Sequence, residues 1–253
     1  MGAGHGHRLH YHGHSRVHRL SAEAKVVGLV AFVIAVVATP RTAYIAYLVD
    51  ALTLAVVVAA SRVPPTYIVK RMVVELPFVL FAVLLPFIAM GPTVDVLGLT
   101  VSESGLEAAI ALLAKATLGV VAGLTLAATT EPRDILAALE GKLPRQLVEI
   151  MAMMVRYLDV ATDQLRRMRI ARESRGFRPR NARHWPVVAT SAGAFFVRSY
   201  ERGERVHLAM LSRGYTGSLP GLTRRTTKGS EWLQGLAPAG TALLAALMVW
   251  GLG

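Results

Sequence analysis

An all-α polytopic membrane protein is what this sequence predicts, with about five transmembrane helices and a helical cytosolic domain between the fourth and the fifth. Three observations point there. Hydrophobic residues fill 53% of the 253 positions, more than a soluble core of that size needs. They gather in long apolar stretches, and the mean hydropathy of the chain is +0.46. Basic residues avoid alternate loops between those stretches, the asymmetry produced when Lys and Arg are retained in the cytoplasm.

The elements follow in order. Residues 1–25 form a polar, basic tail that holds six of the eight histidines, namely His5, His7, His10, His12, His14 and His18. Region 26–130 contains four apolar stretches, 26–38, 42–60, 72–90 and 105–128, and a fifth, 236–252, lies in the C-terminal segment 236–253. Crossing a hydrocarbon core of about 30 Å takes about 20 helical residues. Stretch 26–38 must therefore borrow flanking residues such as Ala22 and Ala24, or enter at an angle. It has no small-residue cleavage site followed by a polar mature domain, so it is expected to stay in the membrane. Pro40, Pro64, Pro65, Pro92 and Pro132 fall between the stretches, where breaking a helix does no harm.

Charge sets the orientation. With the N-terminus inside, the cytosol collects Arg8, Arg16, Arg19 and Lys25, then Arg62, Lys70 and Arg71, then every basic residue from Arg133 to Lys228. External loops keep only Arg41, and loop 91–104 carries Asp95 and Glu103 with no positive charge. Five crossings then leave Gly253 outside.

Residues 131–235 are charged and helix-forming. Leu147, Met151, Met154, Leu158, Ala161, Leu165 and Met168 alternate spacings of four and three, giving one helix an apolar stripe along its length. Glu149, Arg156, Asp159, Asp163, Arg166 and Arg167 occupy its other face. Residues 186–211 form a second helix, weakly apolar at its start through Val188, Ala192, Phe195 and Phe196.

Composition excludes much chemistry. Without cysteine there is no disulfide, no Cys-based zinc site and no thiol catalysis. The cytosolic segment has no paired carboxylates, no Ser/His/Asp set and no clustered metal ligands, and only His184 and His207 stand outside the tail. No Gly-x-x-x-x-Gly-Lys-Ser/Thr phosphate loop occurs. Catalytic residues, resident metal ligands and cofactors are therefore expected to be none. The tail's His-Gly-His and His-Tyr-His-Gly-His runs can gather imidazoles around a divalent ion, or be a solvated tail. Asp50, Glu75 and Lys115 are ionisable residues in apolar stretches and so functional candidates. Glu75 is near a segment end, whereas Asp50 and Lys115 lie deep enough to pair with each other.

Both cytosolic helices end alike. The first stops at Glu173, Ser174, Arg175, Gly176, Phe177, and the second at Leu211, Ser212, Arg213, Gly214, Tyr215. Gly can take the left-handed conformation that terminates a helix, leaving Arg in the last turn against the negative end of the macrodipole. Arg-Gly alone is a good helix stop. Its duplication, each time with an aromatic next, suits docking in a partner's groove, because a guanidinium offers a bidentate fork to carboxylate.

The stretch from Met154, Val155, Arg156, Tyr157 and Leu158 to Ser174, Arg175 and Gly176 resembles the first coupling helix of energy-coupling factor transporter T components of the cobalt or nickel type, the CbiQ-like transmembrane subunits. Arg198, Ser199, Tyr200, Glu201 and Arg202 through Ser212, Arg213, Gly214 and Tyr215 are similar to the second. His18, Arg19 and Leu20 to Lys25 are similar to the family's opening, with Ser21, Ala22 and Glu23 where Asp-Pro-Arg is usual. The resemblance implies a non-enzymatic subunit of an ABC-type importer, in the cell membrane. It implies two ABC-type ATPase subunits and a membrane-embedded substrate-binding subunit as partners. Ser174, Arg175 and Gly176, with Ser212, Arg213 and Gly214, would couple to the ATPases, Arg175 and Arg213 each meeting acidic groups in a groove of one ATPase, and the helices would carry that motion to the substrate subunit. A vitamin-specific or shared T component is an alternative within that class. From another class comes a membrane-anchored basic-helix protein whose run from Arg166 to Arg183 binds anionic lipid. Nucleic acid is not an expected partner, because those basic residues alternate with a regular apolar stripe.

The charge asymmetry makes a direct prediction. Reporter fusions at Asp95 and at Arg178 are expected to report opposite sides of the membrane. A cytosolic signal from both would overturn the five-crossing topology.

Overall fold

A computed structural model describes residues 13, 15–90, 92–96, 99–178, 181–216 and 227–252. The chain divides into two units: Met1–Ala138 with Arg225–Gly253, and Leu139–Arg224. Of the tail histidines, His5, His7, His10, His12 and His14 lie outside the described residues, as does Gly253. His18 is described: its Nδ1 lies 2.7 Å from Ser15 Oγ, which also accepts from the His18 N–H and caps α1 (Arg16–Arg19).

The first unit continues with α2 (Ala22–Ala38), α3 (Tyr44–Ser61), α4 (Pro65–Val69), a 3-10 turn (Met72–Glu75) and α5 (Leu76–Ile88). An antiparallel pair, β1 (Thr93–Val96) and β2 (Leu99–Ser102), comes next, then α6 (Glu103–Thr129) and α7 (Pro132–Leu139). The second unit holds α8 (Arg145–Ser174) and α9 (Trp185–Leu211), and the chain then returns to the first unit as α10 (Gly229–Leu252). Among the described residues, four helical stretches are long and apolar enough to cross a membrane: Tyr44–Ser61, Pro65–Ile88, Glu103–Thr129 and Gly229–Gly251. α2, with 17 residues, stands at the short end of the range of about 17–25 that crossing requires.

Three elements differ from the sequence expectation. The third stretch begins at Pro65, not at residue 72, because proline at the first helical position has no N–H to lose and starts α4 rather than merely separating its neighbours. Its middle is the 3-10 turn, just after Arg71, whose guanidinium stacks 3.7 Å over the Tyr67 ring. The loop after it contains a hairpin, with Thr93 opposite Ser102 and Val96 opposite Leu99. α10 starts at Gly229, seven residues before the apolar run, because the Glu231 carboxylate accepts from the Lys228 N–H at 3.3 Å and so caps the first turn.

Side-chain distribution is that of a bundle solvated by lipid. Ile45, Leu48, Leu52 and Val56 project outward along α3, and Leu80, Phe81, Leu84 and Phe87 along α5. A water-soluble fold would leave no such continuous apolar surface. Inside, small residues dominate: Ala35 on α2, Ala111 and Ala122 on α6, and Ala239 and Ala242 on α10 surround Phe32, Tyr47 and Leu54. Helices gain little hydrophobic free energy by leaving lipid for one another, so they associate by close backbone approach and packing. α2 and α10 carry this furthest. A Cβ added to Gly28 would lie 2.0 Å from the Gly235 carbonyl oxygen, and one added to Gly235 would lie 2.7 Å from that of Ala24. Gly105 plays the same part between α6 and α5, where a Cβ would come within 2.8 Å of Leu85 O.

Gly28→Ala and Gly235→Ala are each expected to force α2 and α10 apart and destabilise the full chain by roughly 1–3 kcal/mol. Gly240→Ala, which has nothing within 4 Å to meet, is the control. Melting temperatures in detergent decide it, and three equal values would remove the tight α2–α10 contact from the account.

Candidate functional site

The second unit is built on α8 (Arg145–Ser174) and α9 (Trp185–Leu211), joined through a 3-10 turn (Ala182–His184). Pro144 precedes α8, and Pro186 sits in the first turn of α9. At both C-termini the backbone does the same thing. Gly176 has φ +77° and Gly214 φ +82°. The Gly176 N–H donates to Glu173 O at 3.0 Å and the Phe177 N–H to Arg172 O at 3.2 Å. The Gly214 N–H donates to Leu211 O and the Tyr215 N–H to Met210 O, both at 3.0 Å. This paired three-back and five-back closure satisfies helix-end carbonyls otherwise left open. The serines match too: Ser174 Oγ donates to Ala171 O, and Ser212 Oγ to Ala209 O, each at 3.0 Å.

Arg175 and Arg213 are thus held on rigid, identical turns, and both are exposed. Among the described residues neither takes part in an ion pair, whereas their neighbours do. Arg145 pairs with Glu149 at 3.2 Å, Arg167 with Asp163 at 2.9 Å, Arg169 with Glu173 at 2.9 Å and Arg205 with Glu201 at 3.9 Å. These are one-turn surface pairs of small energetic weight, but they occupy the acidic groups along each helix. Arg169, by its hydrogen bond, holds the Glu173 carboxyl below its ordinary value, so an anion stands immediately before Ser174.

The aromatic residue after each glycine has a role that the sequence reading missed. Phe177 packs edge-on against His184, ring centroids 5.3 Å apart, and Tyr215 donates to the Glu149 carboxylate at 3.4 Å. Both rings are half-buried and anchor their helix ends within the unit instead of being offered outward. A contact of the residue after the left-handed glycine with its own domain is a known companion of such ends, and that was the available signal. Tyr215 also fixes where the two motifs stand. It ties the Arg213 end to the first turns of α8, while Arg175 follows the last. At 1.5 Å per residue the intervening helix from Glu149 to Ser174 is about 38 Å long, so the two arginines are far apart.

Between α8 and α9 lies a groove of about 760 Å³, lined by Ile150, Met153 and Tyr157 from α8 and Val206 and Met210 from α9. Met154 and Ala161 of the apolar stripe line the same groove. Leu147, Met154, Leu158 and Leu165 of the expected stripe remain open, Met154 at 67% and Leu158 at 49% exposure.

The buried ionisable residues of the first unit resolve differently from a mutual pair. Lys115 Nζ donates to Val37 O at 2.7 Å and Thr39 O at 2.8 Å, capping the end of α2. Asp50 is fully buried, and neither carboxylate oxygen has a hydrogen-bond partner among the described residues. Glu75, which its position suggested could reach the interface, is buried and accepts a short hydrogen bond from Thr117 Oγ1. Lys25 Nζ donates to Thr129 O and Thr130 Oγ1, each at 3.0 Å, at the end of α6. Among the described residues no three His, Asp or Glu side chains come together as metal ligands.

A profile of the family described as CbiQ, cobalt transport protein, matches residues 13–224, which include both Ser-Arg-Gly ends. The chain is 27% identical to the energy-coupling factor transporter transmembrane protein EcfT of Brevibacillus brevis, over 94% of each protein. It is 30% identical to an uncharacterized protein of Methanocaldococcus jannaschii, over 47% of this chain and 45% of that one. Another uncharacterized protein of the same organism is 24% identical, over 83% of this chain and 74% of its own length.

The left-handed glycines can be tested apart from any function. A side chain at Gly176 or Gly214 meets nothing within 4 Å, so the cost of Ala there is conformational alone, about 1–2 kcal/mol. Asn, which tolerates this backbone, is expected to restore most of it. Hydrogen exchange at the Phe177 and Tyr215 amides reads the closure directly: it should speed up in Gly→Ala and recover in Gly→Asn. Equal protection in all variants would mean that glycine is not needed at these ends.

Proposed function

This chain belongs to the CbiQ cobalt transport protein family, and on that premise we propose that it is the transmembrane coupling subunit of an ATP-driven importer of the energy-coupling factor type, carrying cobalt or nickel. It is a multi-pass cell-membrane protein. In this reading it performs no chemistry itself. Two ABC-type ATPase subunits hydrolyse ATP, a membrane-embedded subunit captures the substrate, and this chain transmits motion between them. Its N-terminus is cytosolic and its C-terminus external. Region 131–235 is the coupling domain, between the membrane helices of 26–130 and the final crossing of 236–253.

One observation carries the reading. The same Ser-Arg-Gly termination, closed by the same hydrogen bonds, is built at two helix ends about 38 Å apart along α8, each presenting an exposed arginine with no ion pair among the described residues. A single docking partner would need one such end; two ATPase subunits need two. Each guanidinium offers a fork to a carboxylate in an ATPase groove, and its rigid turn keeps the fork aimed while the partner moves. When the ATPases close on ATP, the two anchored ends are drawn together and the long helices tilt as levers. The open stripe of Leu147, Met154, Leu158 and Leu165 then supplies the apolar surface on which the substrate-binding subunit rides.

Arg175→Glu and Arg213→Glu are expected to leave the chain inserted and helical but to abolish ATP-driven uptake. Like charges would face each other at each dock, at about 2–5 kcal/mol. Lys at either position should be intermediate, keeping the charge and losing the bidentate match. If these arginines only favour the helix dipole, Lys is harmless and Glu costs under about 1 kcal/mol. Co-purification of the ATPases and metal uptake are measured in each variant. Normal retention and transport in both Glu variants would end the coupling assignment, and salt-sensitive vesicle binding lost with Arg166 to Arg172 would favour the lipid-arm reading.

A further inference from the structure

Coupling makes no use of the first half of α9. Residues 185–197 contain no charged side chain. Trp185, Ala189, Ala192 and Phe196 share one face at helical spacing, with Tyr200 one turn further, while Ala194 and Arg198 lie on the opposite side. That apolar face is exposed throughout, Trp185 at 71% and Phe196 at 70%. The groove against α8 leaves it uncovered, because α9 lines the groove from its second half, through Arg202, Val206 and Met210.

The chain around this helix start is strongly cationic. Residues 163–198 hold nine arginines and two acids, Asp163 and Glu173. Both acids are held one turn away, by Arg167 and Arg169, and Glu173 also stands in the field of Arg172 and Arg178. No acid follows before Glu201, which pairs with Arg205, and Glu204 comes after it. Glu140, Glu149 and Asp159 precede α8 or belong to its first half, where Tyr215 brings the other end of α9. Arg183, two residues before Trp185, is exposed and forms no ion pair among the described residues.

We propose that the first half of α9 lies in the membrane interface, with Trp185, Ala189, Ala192 and Phe196 at the boundary of headgroups and acyl chains and Arg183 against anionic headgroups. A helix with an aromatic apolar face and an arginine flank lies in that plane, its apolar side sunk about 5–10 Å. The two features select the occupant together. A polypeptide would have to bring a matched apolar surface and acids beside it, whereas an anionic bilayer presents hydrocarbon and phosphate next to each other. Short connections, residues 130–138 and 225–228, join this unit to α6 and α10, so a bilayer is always within its reach. The contact involves neither Ser-Arg-Gly end and is compatible with both being docked.

Because the chain has no cysteine, single labels are unambiguous. The full chain carrying Ala189→Cys or Ala194→Cys, each with a nitrobenzoxadiazole label, is placed in nanodiscs of phosphatidylglycerol or of phosphatidylcholine. Fluorescence lifetimes separate lipid-buried from water-exposed label. In phosphatidylglycerol, position 189 is expected to be buried and position 194 wet. Arg183→Gln should lower the buried-to-wet ratio at 189 about five-fold there, the factor one basic residue near an anionic surface contributes, and leave it unchanged in phosphatidylcholine. Trp185→Gln should lower it about ten-fold or more in both lipids. Equal burial at 189 and 194, the same ratio in the two lipids, or an unchanged ratio in either variant would overturn the proposal. So would burial at 189 that occurs only after the substrate-binding subunit is added, since a polypeptide would then cover the face. ATPase retention is expected to be unchanged in Arg183→Gln, which separates failure here from failure of the coupling reading.

Discussion

Backbone contact between α2 and α10, at Gly28 and Gly235, is the constraint on which the membrane unit depends. In lipid, apolar side chains gain nothing by turning inward, so the helices are held by whatever lets their backbones approach. These two glycines allow it where any larger residue would collide with a carbonyl oxygen. The contact also closes the chain on itself. Between α7 and α10 the sequence leaves the first unit for the whole of residues 139–224, and the helix that returns must find α2 again. Two glycines about two hundred residues apart do that by shape, and Thr227, just before α10, adds a hydrogen bond to Glu23 of α2.

Charged groups in the bundle obey a second rule. A lysine in an apolar helix is tolerated where it finds carbonyls that a helix end has left open, and the bundle uses this twice. Lys115 closes α2, and Lys25 closes α6. Each joins two helices while satisfying groups that would otherwise be costly in hydrocarbon. Glu75 finds a hydroxyl on α6 in the same way. Asp50 differs, being fully buried with no hydrogen-bond partner among the described residues.

The second unit is organised by different physics. Its helices touch over little of their length, their flanks are laced with one-turn ion pairs of slight stability, and a long apolar stripe stays open. What is fixed tightly is the geometry of the two ends. Phe177 on His184 and Tyr215 on Glu149 pin each turn to its own unit, so the adjacent arginines are positioned although neither side chain forms an ion pair among the described residues.

Much of this was legible in the residues. Apolar stretches long enough to cross a bilayer, and the uneven distribution of Lys and Arg, follow from solvation free energies that act on each segment separately, so the class of the fold could be read without knowing what packs on what. The left-handed glycines at 176 and 214 were equally local, because only glycine enters that conformation freely. The remainder depended on contacts between segments far apart in the chain. Whether Lys115 pairs with Asp50 or caps α2, and whether Phe177 and Tyr215 face a partner or their own unit, are choices between arrangements of similar local energy. Sequence periodicity leaves those arrangements degenerate; the structure separates them because a carbonyl at 2.7 Å, a ring at 5.3 Å or a backbone in contact can be supplied only by another part of the folded chain.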